Sequence, residues 1–201
     1  MTVAPERLAR WLDGFAERHG DVVERLTPLE LHLVGEDGAE AWLTVPFGPL
    51  TGTDRAAFLA HALRPRSIGV LLVRRGGYGV GVFDGLELTA SKVGSSYVQG
   101  TTKAGGWSQQ RFARRRANQA KHAFGTAADE AARVVLPQAR RLDAVVCGGD
   151  RAAVDAVLGD PRLTPLRQLV TDPFLAVPDP RLRVLQATPA QYRAVRIALE
   201  P

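Results

Sequence analysis

A single glutamine, Gln99, stands in the stretch GSSYVQGTTKAGG, flanked by Gly94-Ser95-Ser96 on one side and Gly100-Thr101-Thr102 on the other. The arginine-rich run WSQQRFARRRAN follows it directly. A side-chain amide does not titrate near neutral pH, so Gln99 cannot serve as a general base. It can hold a water through its carbonyl oxygen and donate through its NH₂ or its backbone N–H, which suits a step in which water attacks and an oxyanion develops. Gly100 leaves the backbone beside it uncovered. Between Glu87 and Asp129 there is no acidic residue, while Lys92, Lys103, Arg111, Arg114, Arg115, Arg116 and Lys121 are all cationic. These seven charges exceed the chain's net +5, so the remainder carries a net −2. A block of this kind is the electrostatic footprint of a surface that meets phosphates. Two plainer readings stay open beside these. The glutamine stretch can be an ordinary surface loop, and the cations can form a solvated helix face in a protein whose basic residues are nearly all arginine.

Other chemistries find less support in the residue pattern. GGYGVG lacks the G-x-G-x-x-G spacing and lies among hairpin strands, where a dinucleotide loop needs a strand-to-helix turn. GTTKAGG cannot be laid on the phosphate-cradling G-x-x-x-x-G-K-[ST] pattern. His19, His32, His61 and His122 have no metal-ligand spacing, so neither a metal nor a cofactor is expected. Cys147 is the lone cysteine; it forms no intrachain disulfide and is expected to pack within a strand. No run of about 18 apolar residues is present, and MTVAPERLARWLDGF lacks the pattern of a signal peptide, so no membrane association and a cytoplasmic location are expected.

The elements that must position Gln99 and the cations follow from periodicity. SIGVLLVRR, GGYGVGVFDG and LELTASKV, joined by Arg-Gly-Gly and Asp-Gly turn signals, predict an antiparallel meander from Ser67 onward. After the glutamine stretch, a helix is predicted over 108–136 with Pro137 as its stop. Ala113, Ala117, Ala120, Phe124, Ala127 and Ala131 fall on one side of it, and Arg111, Arg114, Arg115, Asn118, Lys121 and His122 on the other. LDAVVCGGD then reads as a buried strand ending in a Gly-Gly turn, followed by a short helix over 151–158. QLVTD and RLRVLQA read as further strands and PAQYRAVRIAL as a terminal helix. Ahead of the meander, residues 5–19 read as a helix, LELHLV and AEAWLTVPF as a hairpin across GEDG, and residues 54–63 as a second helix. The expected fold class is α/β, a mixed β-sheet packed by helices, with a helix-plus-hairpin N-terminal extension over 1–64 and a catalytic domain over 65–201.

A glutamine followed by glycine after a β-meander, then Gly-Gly, then a helix bearing Arg-Arg-x-Asn, resembles the release-factor-like peptidyl-tRNA hydrolases of ribosome-associated quality control. The matching pieces are VQG (98–100), Gly105-Gly106 and RRAN (115–118). That family's core is similar to the middle, Gly-Gly-Gln-bearing domain of archaeal and eukaryotic peptide-chain release factors, and LDAVVCGGDRAAVDAVL looks like that domain's strand-and-glycine element. Tyr97 and Val98 stand where a release factor has two glycines. The resemblance covers roughly Ser67 to Leu158 and would make this chain a minimal, stand-alone form.

It implies hydrolysis of the peptidyl-tRNA ester on stalled large ribosomal subunits. Gln99 and Gly100 would be catalytic, and Lys103, Arg111, Arg114, Arg115, Arg116, Asn118 and Lys121 would hold ribosomal or transfer RNA. A monomer is expected. The alternative of another class is a non-catalytic RNA- or ribosome-binding module that uses the same basic helix.

Overall fold

The computed structural model of the chain describes residues 1–74, 76–95 and 122–200. In chain order the strands are β1 (Thr2–Val3), β2 (Val22–Leu26), β3 (Glu30–Gly35), β4 (Glu40–Thr44), β5 (Ser67–Arg74), β6 (Gly77–Asp84), β7 (Glu87–Ser95), β8 (Ala144–Gly149), β9 (Val170–Leu175) and β10 (Val195–Glu200). The helices are α1 (Leu8–His19), α2 (Arg55–Leu63), α3 (122–134), α4 (Arg151–Leu158), α5 (Thr164–Arg167), α6 (Leu182–Gln186) and α7 (Pro189–Tyr192). They divide into two compact units, Met1–Pro65 with Pro189–Pro201, and Arg66–Thr188. The class is mixed α/β with two sheets, each packed by helices.

In the first unit the sheet runs β1-β10-β4-β3-β2, antiparallel throughout. Alternation along β3 and β4 sends Leu31, Leu33, Ala41 and Leu43 to one face, where Leu8, Leu12 and Phe15 of α1 and Phe58 of α2 close the core. Burying each of these leucine and phenylalanine side chains contributes about 1.5–3 kcal/mol. α1 ends at Gly20, whose φ of 74° suits a residue without a side chain. Asp54 caps α2 by accepting from the Ala57 N–H at 2.7 Å.

The second unit holds the expected meander and extends it. Its sheet runs β7-β6-β5-β8-β9, with β5, β6 and β7 antiparallel and β8 and β9 added parallel to β5. β5 is buried at six consecutive positions, as a central strand covered on both faces must be. On one face α3 and α4 pack through Ala127, Ala128, Ala131, Val154 and Val157 against Val73, Tyr78, Val80, Val82, Val145 and Cys147. The glycines of GGYGVG serve the opposite face. A side chain at Gly81 would come within 3.1 Å of Leu185 on α6, and one at Gly79 within 3.4 Å of Pro180.

The C-terminal part differs from the sequence expectation. RLRVLQA is helix α6, anchored by the fully buried Leu185, where its alternating Leu182 and Val184 read as a strand. PAQYRAVRIAL makes one helical turn, α7, and then strand β10. Tyr192, Val195 and Leu199 mimic helical spacing, but the β-branched Val195 and Ile197 enter the first unit's core with period two. Residues 189–200 therefore complete the N-terminal sheet, which is broader than a helix plus hairpin. β2 carries no alternation to announce it: it is an edge strand with no buried residue.

Candidate functional site

Gln99, Gly100, Lys103, Arg111, Arg114, Arg115, Arg116, Asn118 and Lys121 all lie outside the described residues, as do Ala113, Ala117 and Ala120 of the predicted inner helix face. What the structure describes is the frame that delivers and receives that segment. β7, an edge strand, ends at Ser95, which pairs with Gly77 at the start of β6. Gly77 pairs in turn with Arg74 at the end of β5, and Val73 with Gly149 at the end of β8. The chain therefore leaves the sheet at the same end as the β8–α4 turn. α3 begins the described return at residue 122. Val135, just beyond α3, lies against Gly69 near the start of β5, so the helix runs from this end of the sheet toward the other.

That end is built on close backbone approach. A side chain at Gly94 would overlap the Tyr78 ring, which is buried in the core beneath α3, so the lack of one lets Tyr78 fix the last residues of β7. Spacing alone does not flag Tyr78 as the residue packed against the end of β7. Gly149 has φ 101°, and a Cβ there would overlap the Val73 carbonyl. The turn it makes passes to Asp150, whose Oδ1 accepts from the Ala153 N–H at 3.3 Å and caps α4. The strand, glycine turn and helix expected from LDAVVCGGDRAAVDAVL are thus present.

The described charged groups at this end are held by the fold. Arg74 donates from Nη1 to the Val177 carbonyl at 2.7 Å and lies 3.6 Å from Asp179. The Arg151 guanidinium stacks 4.2 Å from the centre of the Phe174 ring. Lys92 and His122, by contrast, are exposed. Cys147 is buried in β8, and burial pushes its thiol up to about 12, which removes it as a nucleophile at neutral pH. The inward positions of α3 follow the helical projection: Ala127 and Ala131 are buried and Phe124 is partly so. Among the described residues no group of His, Cys, Asp or Glu could hold a metal ion, and no helix is long and apolar enough to cross a membrane.

The model of the Actinobacteria/chloroflexi VLRF1 release factor family matches residues 66–198. The chain belongs to this family. The match begins at the first residue of the second unit and runs through β5 to β10, so it includes the glutamine stretch and the basic block. Family membership makes this a release-factor-like protein with a role in translation. No curated protein matches it. Among solved structures, the crystal structure of the archaeal translation termination factor aRF1 is 18% identical with a TM-score of 0.48, over 94% of this chain and 54% of that one. An archaeal protein is also 18% identical, with a TM-score of 0.42 over 90% of this chain and 52% of that one. The chain thus spans about half the length of the solved structures it matches.

Proposed function

We propose that this family member hydrolyses the ester between a nascent peptide and tRNA, releasing peptides from stalled large ribosomal subunits in the cytoplasm. The observation that carries the reading is the family match across 66–198, because that span contains the one glutamine-glycine stretch followed by an acid-free run of cations. Gln99 orients the attacking water with its amide oxygen, and an N–H of the same residue or of Gly100 donates to the developing oxyanion. Placement of this kind can supply up to about 7–11 kcal/mol in favourable cases, so an uncharged residue suffices without acid-base chemistry. Lys103, Arg111, Arg114, Arg115, Arg116, Asn118 and Lys121 hold ribosomal RNA and the tRNA. The protein acts as a monomer and calls on no cofactor.

Single-turnover release from a stalled large-subunit complex tests this reading, with binding followed by co-sedimentation. Gln99→Ala is expected to slow release by roughly a hundred- to a thousand-fold while binding stays within a few-fold of wild type. Gln99→Glu should not restore release, because a carboxylate accepts but cannot donate and repels an oxyanion. Release by Gln99→Ala at the wild-type rate would leave a non-catalytic ribosome-binding module in place of the enzyme.

A further inference from the structure

Where β1 meets the start of α1, Thr2, Val3, Ala4, Arg7, Arg10 and Trp11 line an open cavity of about 390 Å³. Its size lies within the range of small-ligand sites, roughly 300–1,000 Å³. Trp11 is half-buried and stacks on the fully buried Phe15, with ring centroids 5.7 Å apart and planes inclined by 23°, so the indole is held in place from behind. Arg7 and Arg10 are exposed, and neither has an ion-pair partner among the described residues. No carboxylate lines the cavity. The nearest acids along the chain are engaged elsewhere, Glu6 with Arg193 at 2.6 Å and Asp13 with Arg55 at 2.5 Å. Arg196 of β10 is the cross-strand partner of Thr2 and is exposed.

Unpaired guanidiniums beside a fixed aromatic wall ask for a ligand that is anionic at one end and flat at the other. Guanidinium groups match phosphate oxygens in a planar fork, and an indole offers a stacking surface to any base. An acidic peptide would satisfy the arginines and leave the indole unused. We infer that this cavity binds a phosphorylated nucleotide, free or as one residue of single-stranded RNA, with the phosphate on Arg7 and Arg10 and the base against Trp11. The assignment uses no residue of the glutamine stretch and stands or falls independently of peptide release.

The 201-residue chain, labelled with ¹⁵N, provides the test through the indole N–H resonance of Trp11, identified by its loss in Trp11→Phe. Titration with AMP is expected to move this resonance to saturation and leave that of Trp42 in place. Adenosine and inorganic phosphate, each carrying half the recognition, should need at least tenfold more ligand. The double variant Arg7→Ala/Arg10→Ala removes exposed side chains that make no ion pair among the described residues and should weaken AMP at least tenfold. A hexa-adenylate RNA that saturates the Trp11 signal well below the AMP concentration identifies RNA as the source of the nucleotide, and equal or weaker saturation identifies the free form. RNA held only by the basic block would leave Trp11 unmoved. An unmoved Trp11 resonance with both AMP and RNA, or an unchanged titration in the arginine variant, overturns the inference.

Discussion

Cys147 is the chain's lone thiol, and what decides its chemistry is its place in the sheet. Buried in β8 with its ionisation pushed up to about 12, first by desolvation, it stays protonated at pH 8. A thiol reagent is therefore expected to label the native protein only as fast as the second unit opens, and to label it at once in denaturant; rapid native labelling would contradict the burial. The pH dependence has a definite sign. An unfolded thiol ionises near pH 8.5, while the folded one keeps its proton to about 12. Its share of stability is complete below about pH 8.5 and is lost as pH rises through that window, which urea titrations at pH 8 and pH 10 can follow.

Two glycines that look alike in sequence act oppositely within their elements. Gly149 closes β8 at a φ of 101° with the Val73 carbonyl where a side chain would go, so Gly149→Ala should cost about 2 kcal/mol or more in thermal or urea unfolding. Gly125 lies within α3, exposed, with nothing within 4 Å of the space a Cβ would take. Gly125→Ala should therefore gain about 0.5–1 kcal/mol by restoring helix propensity. The sequence made elements legible wherever one period ruled and a turn signal closed them. α1, α2, the β3–β4 hairpin, the meander and the β8–α4 unit are of this kind. It misled where two periods fit the same residues, as at Leu182 to Leu185 and Tyr192 to Leu199, because only tertiary burial chooses between them. Of the candidate site, the flanking elements β7 and α3 were legible. The use of Tyr78 under Gly94 was not, since it depends on strand register.

At the scale of the whole molecule, the second unit is inserted in the sequence of the first. The first unit's core needs Val195 and Ile197 as much as Leu31 and Leu43, and β10 occupies the place between β1 and β4. A fragment of residues 1–65 is thus expected to lack cooperative unfolding, and adding a peptide of residues 189–201 should restore it. Circular dichroism with and without the peptide measures this, and a sharp transition for the fragment alone would refute it. The first unit also draws together chain ends far apart in sequence. The Met1 amine donates to the Ile197 carbonyl at 2.8 Å, and Arg193 pairs with Glu6 at 2.6 Å.

This interleaving fixes an order of events during synthesis. Residues 66–188 are all translated before residue 195 is made, so the earlier-made β2, β3 and β4 wait without β10 while the whole second unit is synthesised. During that interval the free flank of β4 presents unpaired backbone N–H and C=O groups, the kind of edge onto which another nascent strand can add. β10, translated after the whole second unit, covers that edge and completes a sheet begun before it.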